Sequence, residues 1–456
     1  MADEWRRVRA ADVAIRTAAG PFGSAISCKF FCDAGVPVIR GSNLSQEIGV
    51  RLNDEGLVFL QPEKAADFSR SVAMRGDLVF TCWGTIDQVG FVDGRASYES
   101  YVVSNKQMLL SPDSSKADGL FLYYLFSSPK SREEILSQGI GSSVPGFNLG
   151  QLRAFEILLP PLCEQKRIAH ILGTLDDKID LNRKVNATLE AMSRAIFKSW
   201  FVDFDPVRAK AAGRQPEGMD AETAALFPDS FEGSEIGEVP KGWCLTRVAD
   251  VTHRVTKGDT PLKSAVAVAN QATRMVSMIR VNAISEDGQL IHGNLVEIPE
   301  AIHLGKSRRS ILKPGYILYT NAGTIGRVAY VQKDWLPANT NQAVAIIQPN
   351  EDLIIPAVLY MALRQPEFQY ELHKDIVEAV QANLALGKIA ESRLVLPPLP
   401  ALKYMFSAVQ SHLLRVWENQ GQSRTLATLR DTLLPKLLSG EVRVPEAEKA
   451  VDEAVG

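Results

Sequence analysis

The stretch Gly76-Asp-Leu-Val-Phe-Thr-Cys-Trp-Gly-Thr-Ile86 returns 239 residues later as Gly315-Tyr-Ile-Leu-Tyr-Thr-Asn-Ala-Gly-Thr-Ile325. Three more landmarks extend the match in both directions. Trp5 precedes Asp12-Val13 by the same seven residues that separate Trp243 from Asp250-Val251. Val38-Ile39-Arg40 matches Met278-Ile279-Arg280, and Leu159-Pro-Pro-Leu162 matches Leu396-Pro-Pro-Leu399. Four landmarks in one order at nearly one offset mean duplication. The period is far too long for a solenoid repeat, so the unit duplicated is a whole domain.

Within each copy the apolar runs are short. Leu78-Val79-Phe80 and Ile317-Leu318-Tyr319 read as strands, each closed by Thr and a Gly-Thr-Ile turn. Val89–Val92 and Val328–Val331 then form the return strands of hairpins. Asp118–Ser127 and Ile355–Arg364 read as short helices. Each domain is therefore mixed α and β.

After each Leu-Pro-Pro-Leu the texture changes. From Glu164 to Phe201 there is no proline and one glycine, Gly173. Ile168, Leu172, Leu175, Ile179, Val185, Leu189, Met192 and Ile196 fall mostly three or four apart, which predicts a helix with a coiled-coil seam. Asn182 and Asn186 interrupt that seam, and a buried Asn sets register at a cost in stability. A second helix is expected from Ala401 to about Leu438, with Gly421 and Pro435 as possible breaks. Neither apolar face is soluble alone, so the two helices are expected to pack on each other. The expected fold class is α+β: two mixed domains separated by two long antiparallel helices forming a coiled coil, in a pseudo-twofold internal repeat. The boundaries read as 1–158 for the first domain, 159–206 for the first long helix and 207–238 for a linker. The second domain follows at 239–396, the second long helix at 397–440 and a tail at 441–456.

Composition limits the function. The 456 residues are 46% hydrophobic and 23% charged, as in ordinary globular proteins. No apolar run approaches a membrane span and the charged start lacks the apolar core of a secretory signal, so a cytoplasmic location is expected. The five cysteines form no CxxC pair and have no His partner spaced for zinc. The net charge of −3 gives no basic footprint for nucleic acid. There is no GxxxxGK[ST] loop, no dinucleotide fingerprint, no HExxH, and no Asn/Asp-Pro-Pro-aromatic stretch of the amino-methyltransferase kind. The Pro-Pro pairs are followed by Leu, which offers a target base no hydrogen bond. The six histidines are scattered. A catalytic set is not legible.

Leu159-Pro-Pro-Leu-Cys-Glu-Gln-Lys-Arg-Ile168, continuing through Leu181-Asn-Arg-Lys-Val-Asn186 to Phe197-Lys-Ser-Trp-Phe-Val-Asp-Phe-Asp-Pro206, closely resembles the central region of type I restriction-modification specificity subunits. So do Gly20-Pro-Phe-Gly-Ser24, Gly237-Glu-Val-Pro-Lys-Gly-Trp243, Gly258-Asp-Thr-Pro261 and Leu433-Leu-Pro-Lys-Leu-Leu-Ser-Gly-Glu441. Lys403–Gly421 matches that pattern less well. The resemblance implies a non-catalytic chain with two target-recognition domains, each reading one half of a split site in double-stranded DNA. It implies docking of two methyltransferase subunits and of nuclease/translocase subunits. S-adenosylmethionine, ATP and magnesium would sit on those partners, with no cofactor or metal in this chain.

The duplication suits such a task. Two unlike domains can face two unlike half-sites, giving an asymmetric bipartite target. Helices of this length could set the gap, so four residues inserted after Asn186 (~6 Å) should lengthen it by one or two base pairs at about 3.4 Å each. Matched residues, Arg40 with Arg280 and Thr85 with Thr324, suit backbone positioning. Base readers should lie where the copies diverge. Gln88, Asn105, Lys106 and Gln107 meet that criterion in the first domain, and Asn282, Asn321, Arg327, Asn341 and Gln342 in the second. Arg, Asn and Gln suit bidentate contacts with guanine or adenine. The glycine turns Gly20–Ser24 and Lys257–Pro261 could hold phosphate on backbone N–H groups or serve as ordinary turns. Two other classes stay open at this point: an autonomous methyltransferase or nuclease with unrecognised motifs, and a coiled-coil scaffold with no DNA role.

Overall fold

The computed structural model describes residues 5–140, 145–261, 274–374 and 383–455; the other positions, including 1–4 at the charged start, lie outside the described residues. The chain forms two compact units: 1–182 with 422–456, and 183–421. These units cut across the segments expected from sequence. Each takes one globular domain together with half of each long helix.

In the first unit the strands Ala14–Ala19, Gln107–Pro112, Leu78–Thr81 and Val89–Phe91 form an antiparallel sheet in that order. Leu78 pairs with Phe91 and Phe80 with Val89, so the expected hairpin is present. Strand alternation serves two cores. Leu78 and Phe80 enter the cluster that contains the helix Gly119–Ser127, with Phe80 edge-on to Phe126 at 5.0 Å. Val79 enters a separate cluster with Ile39, Tyr101 and Val103 from a second sheet. A strand buried on both faces reads as an unbroken apolar run, which is why Leu-Val-Phe shows no alternation in sequence. The helix starts where Asp118 caps it, accepting from the Phe121 N–H at 2.9 Å. The second sheet has five strands, and its centre is a parallel pair, Val36–Ile39 beside Ser100–Val103.

The second unit repeats the plan. Thr252–Lys257, Val344–Pro349, Ile317–Thr320 and Val328–Tyr330 form the same four-stranded order. Ile317 and Tyr319 face one core and Leu318 another. The second sheet again contains a parallel pair, Met275–Ile279 beside Ala338–Thr340, in three strands instead of five. The helix expected at Ile355–Arg364 spans Pro356–Leu363, with proline at its first position, where a missing N–H costs nothing.

The two long helices span Leu162–Phe201, 40 residues, and Leu399–Ser439, 41 residues. They pack antiparallel within each unit. In the first, Leu172, Leu175 and Ile179 share a core with Leu426, Leu433 and Leu437, and Asp176 meets Arg430 while Asn182 meets Gln422. In the second, Asn419 donates to the Asn186 Oδ1 at 2.8 Å, and Ser193 lies 3.4 Å from the His412 Nδ1. The seam asparagines are thus partnered across the helices: Asn182 donates to Gln422 and Ser423, and Asn186 to the Val416 carbonyl.

Three expectations are corrected. Gly421 and Pro435 do not break the second helix, because buried Leu433, Leu434 and Leu437 hold its last turns and offset the ~3 kcal/mol that an interior proline costs. The presumed linker is structured, with helices Asp205–Ala211 and Ala221–Ala225 and a hairpin of Phe231–Ser234 with Gly237–Pro240. Its order comes from aromatics: Trp243 lies within about 6 Å of the Phe201, Phe204 and Phe227 rings. The tail is a helix, Val444–Val455, that buries Val444, Ala447 and Val451 against the first unit. Arg167 clamps its Glu448 through two bonds of 3.1 and 2.7 Å. Among the described residues no helix is long and apolar enough to cross a membrane, and no cluster of His, Cys, Asp and Glu could hold a metal.

Candidate nucleic-acid interface

In the first unit the parallel strands Val36–Ile39 and Ser100–Val103 end side by side, with Val38 opposite Val102 and Ile39 opposite Val103. Their following residues, Arg40 and Ser104, therefore emerge at one edge. The turn after Thr81 reaches the same edge. Gly84 makes that turn at φ +94°, a conformation that side chains disfavour. The result is a cleft of about 450 Å³ lined by Arg40, Thr85, Gln88, Asn105, Lys106 and Gln107, the whole first-domain set expected from sequence.

Side-chain bonding divides that set. Thr85, Asn105 and Lys106 are exposed. Arg40 directs Nη2 to the Gly56 carbonyl at 2.7 Å, while its buried Nε has no partner among the described residues. Gln88 spends both ends of its amide inside the protein, donating to the Leu44 carbonyl at 3.0 Å and accepting from the Thr81 hydroxyl at 3.2 Å. It shapes the cleft wall. Gln107 departs from expectation more strongly: it is fully buried and accepts from the Ser104 hydroxyl. Burial also pushes the neighbouring Cys82 thiol up, so it stays protonated.

The second unit builds its counterpart from equivalent elements. Arg280 follows the parallel strand as Arg40 does, and Gly323-Thr324 occupies the hairpin turn. Arg280, Asn282, Thr324, Arg327 and Asn341 line one hollow. Lys257, Asn321 and Gln342 line another with Asn383. The strand register places Arg327 where the first domain has Gln88, three residues after the matched Gly-Thr. Arg280, Asn282, Thr324, Lys257 and Gln342 are exposed. Arg327 donates to the Ile284 carbonyl, and Gln342 accepts from the Thr260 hydroxyl. Asn321 is a wall residue, buried and donating to Asn383 and to the Leu384 carbonyl.

The first N–H groups of the two glycine turns are bound within the fold. Gly20 donates its N–H to the Gln107 carbonyl at 2.9 Å, and a Cβ there would lie 1.8 Å from the Ser104 carbonyl oxygen. Gly258 donates to the Val344 carbonyl at 3.3 Å, and its Cβ would lie 2.0 Å from the Thr340 oxygen. The next N–H, of Asp259, is bound to the Thr340 carbonyl at 3.0 Å. These N–H groups are already satisfied, and the glycines are there because two backbones touch.

Charge distinguishes the three hollows. Among the described residues their linings include Arg40, Lys106, Lys257, Arg280 and Arg327 and no acidic side chain, although the chain is net negative. A fourth cavity, beside Phe201 and Phe368, shows the contrast: Glu238, Glu367, Glu371 and Glu391 line it against Lys388 and Arg393. Sequence reasoning missed Trp83, half-exposed in the wall of the first cleft. Its signal was available, since Trp83 corresponds in sequence to Ala322, one of two differences, with Cys82 and Asn321, between turns that otherwise match.

The family model described as the type I restriction modification DNA specificity domain matches this chain twice, over residues 34–191 and 240–414. The type I restriction enzyme HindI specificity subunit of Haemophilus influenzae is 28% identical over 394 residues, covering 77% of this chain and 83% of that protein. The MjaIX specificity subunit of Methanocaldococcus jannaschii is 27% identical over 336 residues, covering 72% and 69%. The crystal structure of the type I restriction-modification S subunit from M. genitalium superimposes with a TM-score of 0.57 at 13% identity, over 95% of this chain and 96% of that one, a likeness of fold.

Proposed function

This chain belongs to the type I restriction modification DNA specificity family, and from that footing we propose that it supplies DNA sequence recognition to a type I restriction-modification complex. Each globular domain reads one half of an asymmetric bipartite site in double-stranded DNA. One observation carries the reading: two clefts in equivalent places, at the ends of a parallel strand pair and a Gly-Thr turn, are lined among the described residues by basic and amide side chains without a carboxylate. Phosphates and base edges reward that lining, whereas a protein surface would gain from mixed charge. Matched Arg40 and Arg280 position the backbone; the divergent Asn105, Lys106, Asn282, Arg327 and Asn341 face bases that differ between half-sites.

Chemistry belongs to partners in this reading. Two methyltransferase subunits carry S-adenosylmethionine, and nuclease/translocase subunits use ATP and magnesium; this chain places them on DNA. Sequencing of methylated bases in cells expressing the chain with its methyltransferase subunit tests the proposal. A bipartite methylated motif is expected, and replacing residues 5–158 by another family member's domain should change one half only. The chain alone should transfer no methyl groups. Methyl transfer by the isolated chain, or a motif without two separable halves, would refute it.

A further inference from the structure

Trp83 is 52% exposed, an unusual place for an indole in a cleft otherwise rimmed by Arg40, Asn105 and Lys106. Its ring is not loose. Trp83 bridges Gly146 through backbone pairing, and a Cβ added at 146 would come within 2.7 Å of the ring. The benzo ring therefore lies flat on a residue with no side chain, and its orientation is set before any ligand arrives. Ile26, Phe31 and Val38 continue the apolar wall on the inside. The second domain has Ala322 at the matched position, in the hollow with Lys257 and Asn321, while two guanidinia, of Arg280 and Arg327, line its other hollow.

We propose that Trp83 determines specificity by packing against the 5-methyl group of a thymine in the half-site read by the first domain. The methyl is the apolar group that a base pair presents in the major groove, and it separates thymine from the other bases there. Arg40 lines the same cleft as the indole and meets the adjoining phosphates, so the wall is delivered to the groove by charge. Because the ring is held by Gly146, little side-chain freedom is lost on contact. The inference rests on the first cleft being a DNA-facing surface.

The test uses the chain with its methyltransferase subunit and duplexes carrying the methylated motif. Each thymine of the first half-site is replaced in turn by deoxyuridine, which removes the methyl and leaves base pairing unchanged. At one position the affinity should fall about fourfold, the worth of one buried methyl. Trp83→Ala should bind the thymine and uracil duplexes equally, and Trp83→Phe should keep part of the discrimination. Unchanged recognition at the other positions of the first half-site reports that the variants are folded. A first half-site without an A·T pair, uniform tolerance of deoxyuridine, or discrimination that survives Trp83→Ala would overturn the proposal. Tolerance of deoxyuridine with loss of binding in Trp83→Ala would indicate a minor-groove wedge, which also overturns it. Failure of the underlying reading looks different: no substitution in the first domain's cleft would then alter either half-site.

Discussion

Arg430 donates to the Asp176 Oδ1 at 2.7 Å, joining the two long helices through a pair whose side chains are only 6% and 1% exposed. The pair also reaches the globular domain. Arg430 bonds the Ile48 carbonyl at 2.6 Å, and the Tyr124 hydroxyl donates to Asp176. Gly49 fits so closely that a Cβ would lie 2.4 Å from the Asp176 Oδ1. Within the first unit, this polar knot ties the loop beside the reading domain to the helical spine.

Removing one partner of that knot leaves the other charge buried. Asp176→Ala should therefore destabilise the first unit by about 3–5 kcal/mol, whereas Asp176→Leu with Arg430→Met should cost much less. Urea unfolding of both variants measures the difference. Equal losses would show that the arginine finds water or another acceptor.

Gly258→Ala should damage the second domain, because the new methyl meets two carbonyl oxygens, of Thr340 and Asn341, at 2.0 and 2.3 Å. Backbone cannot give way as a side chain can, so a cost of at least about 1–3 kcal/mol is expected. Unfolding curves report the loss, and methylation sequencing should show relaxed recognition confined to one half-site.

Arg280→Ala and Arg327→Ala should fail in different ways. At the position matched with Arg40, loss of Arg280 should weaken binding on all sequences and lower the salt slope by about one. Loss of Arg327, at the divergent position, should cost ~1–3 kcal/mol on the specific site and relax one base position. Titrations at several salt concentrations, on specific and scrambled duplexes, separate the two.

Glu190 gives the second unit a pH signature. Burial holds its carboxyl above the ordinary range, with Arg364 at 3.6 Å opposing the shift. The folded state then binds this proton more tightly than the unfolded chain does. The associated stability is present in acid and is lost as pH rises through the raised value. Relative to Glu190→Gln, the unmodified protein should lose stability as pH rises above the ordinary glutamate range. A parallel dependence in the two proteins would contradict this.

Local pattern made much of the architecture legible. The hairpin at Leu78–Val92, the capped helix after Asp118 and both long helices follow from apolar spacing and from turn and cap residues, which act within one element. The tail was equally readable: Val444, Ala447, Val451 and Ala454 fall three or four apart, but the segment is short and highly charged. The order of the 207–238 region was hidden, because it depends on Phe227 and Phe231 meeting Phe204 and Trp243 from neighbouring elements.

By itself the sequence determined that one domain plan occurs twice, with a long helix after each copy and divergence inside matched turns. Tertiary structure alone decided which side chains can face a ligand. Arg40, Thr85 and Lys106 converge through a parallel pairing of strands more than 60 residues apart, and no local period encodes that register. It also decided that Gln88 and Gln107 are occupied or buried while Trp83 lies open on Gly146. Hydrophobic periodicity is a property of one element, whereas the satisfaction of an amide or the exposure of a ring depends on every segment packed around it.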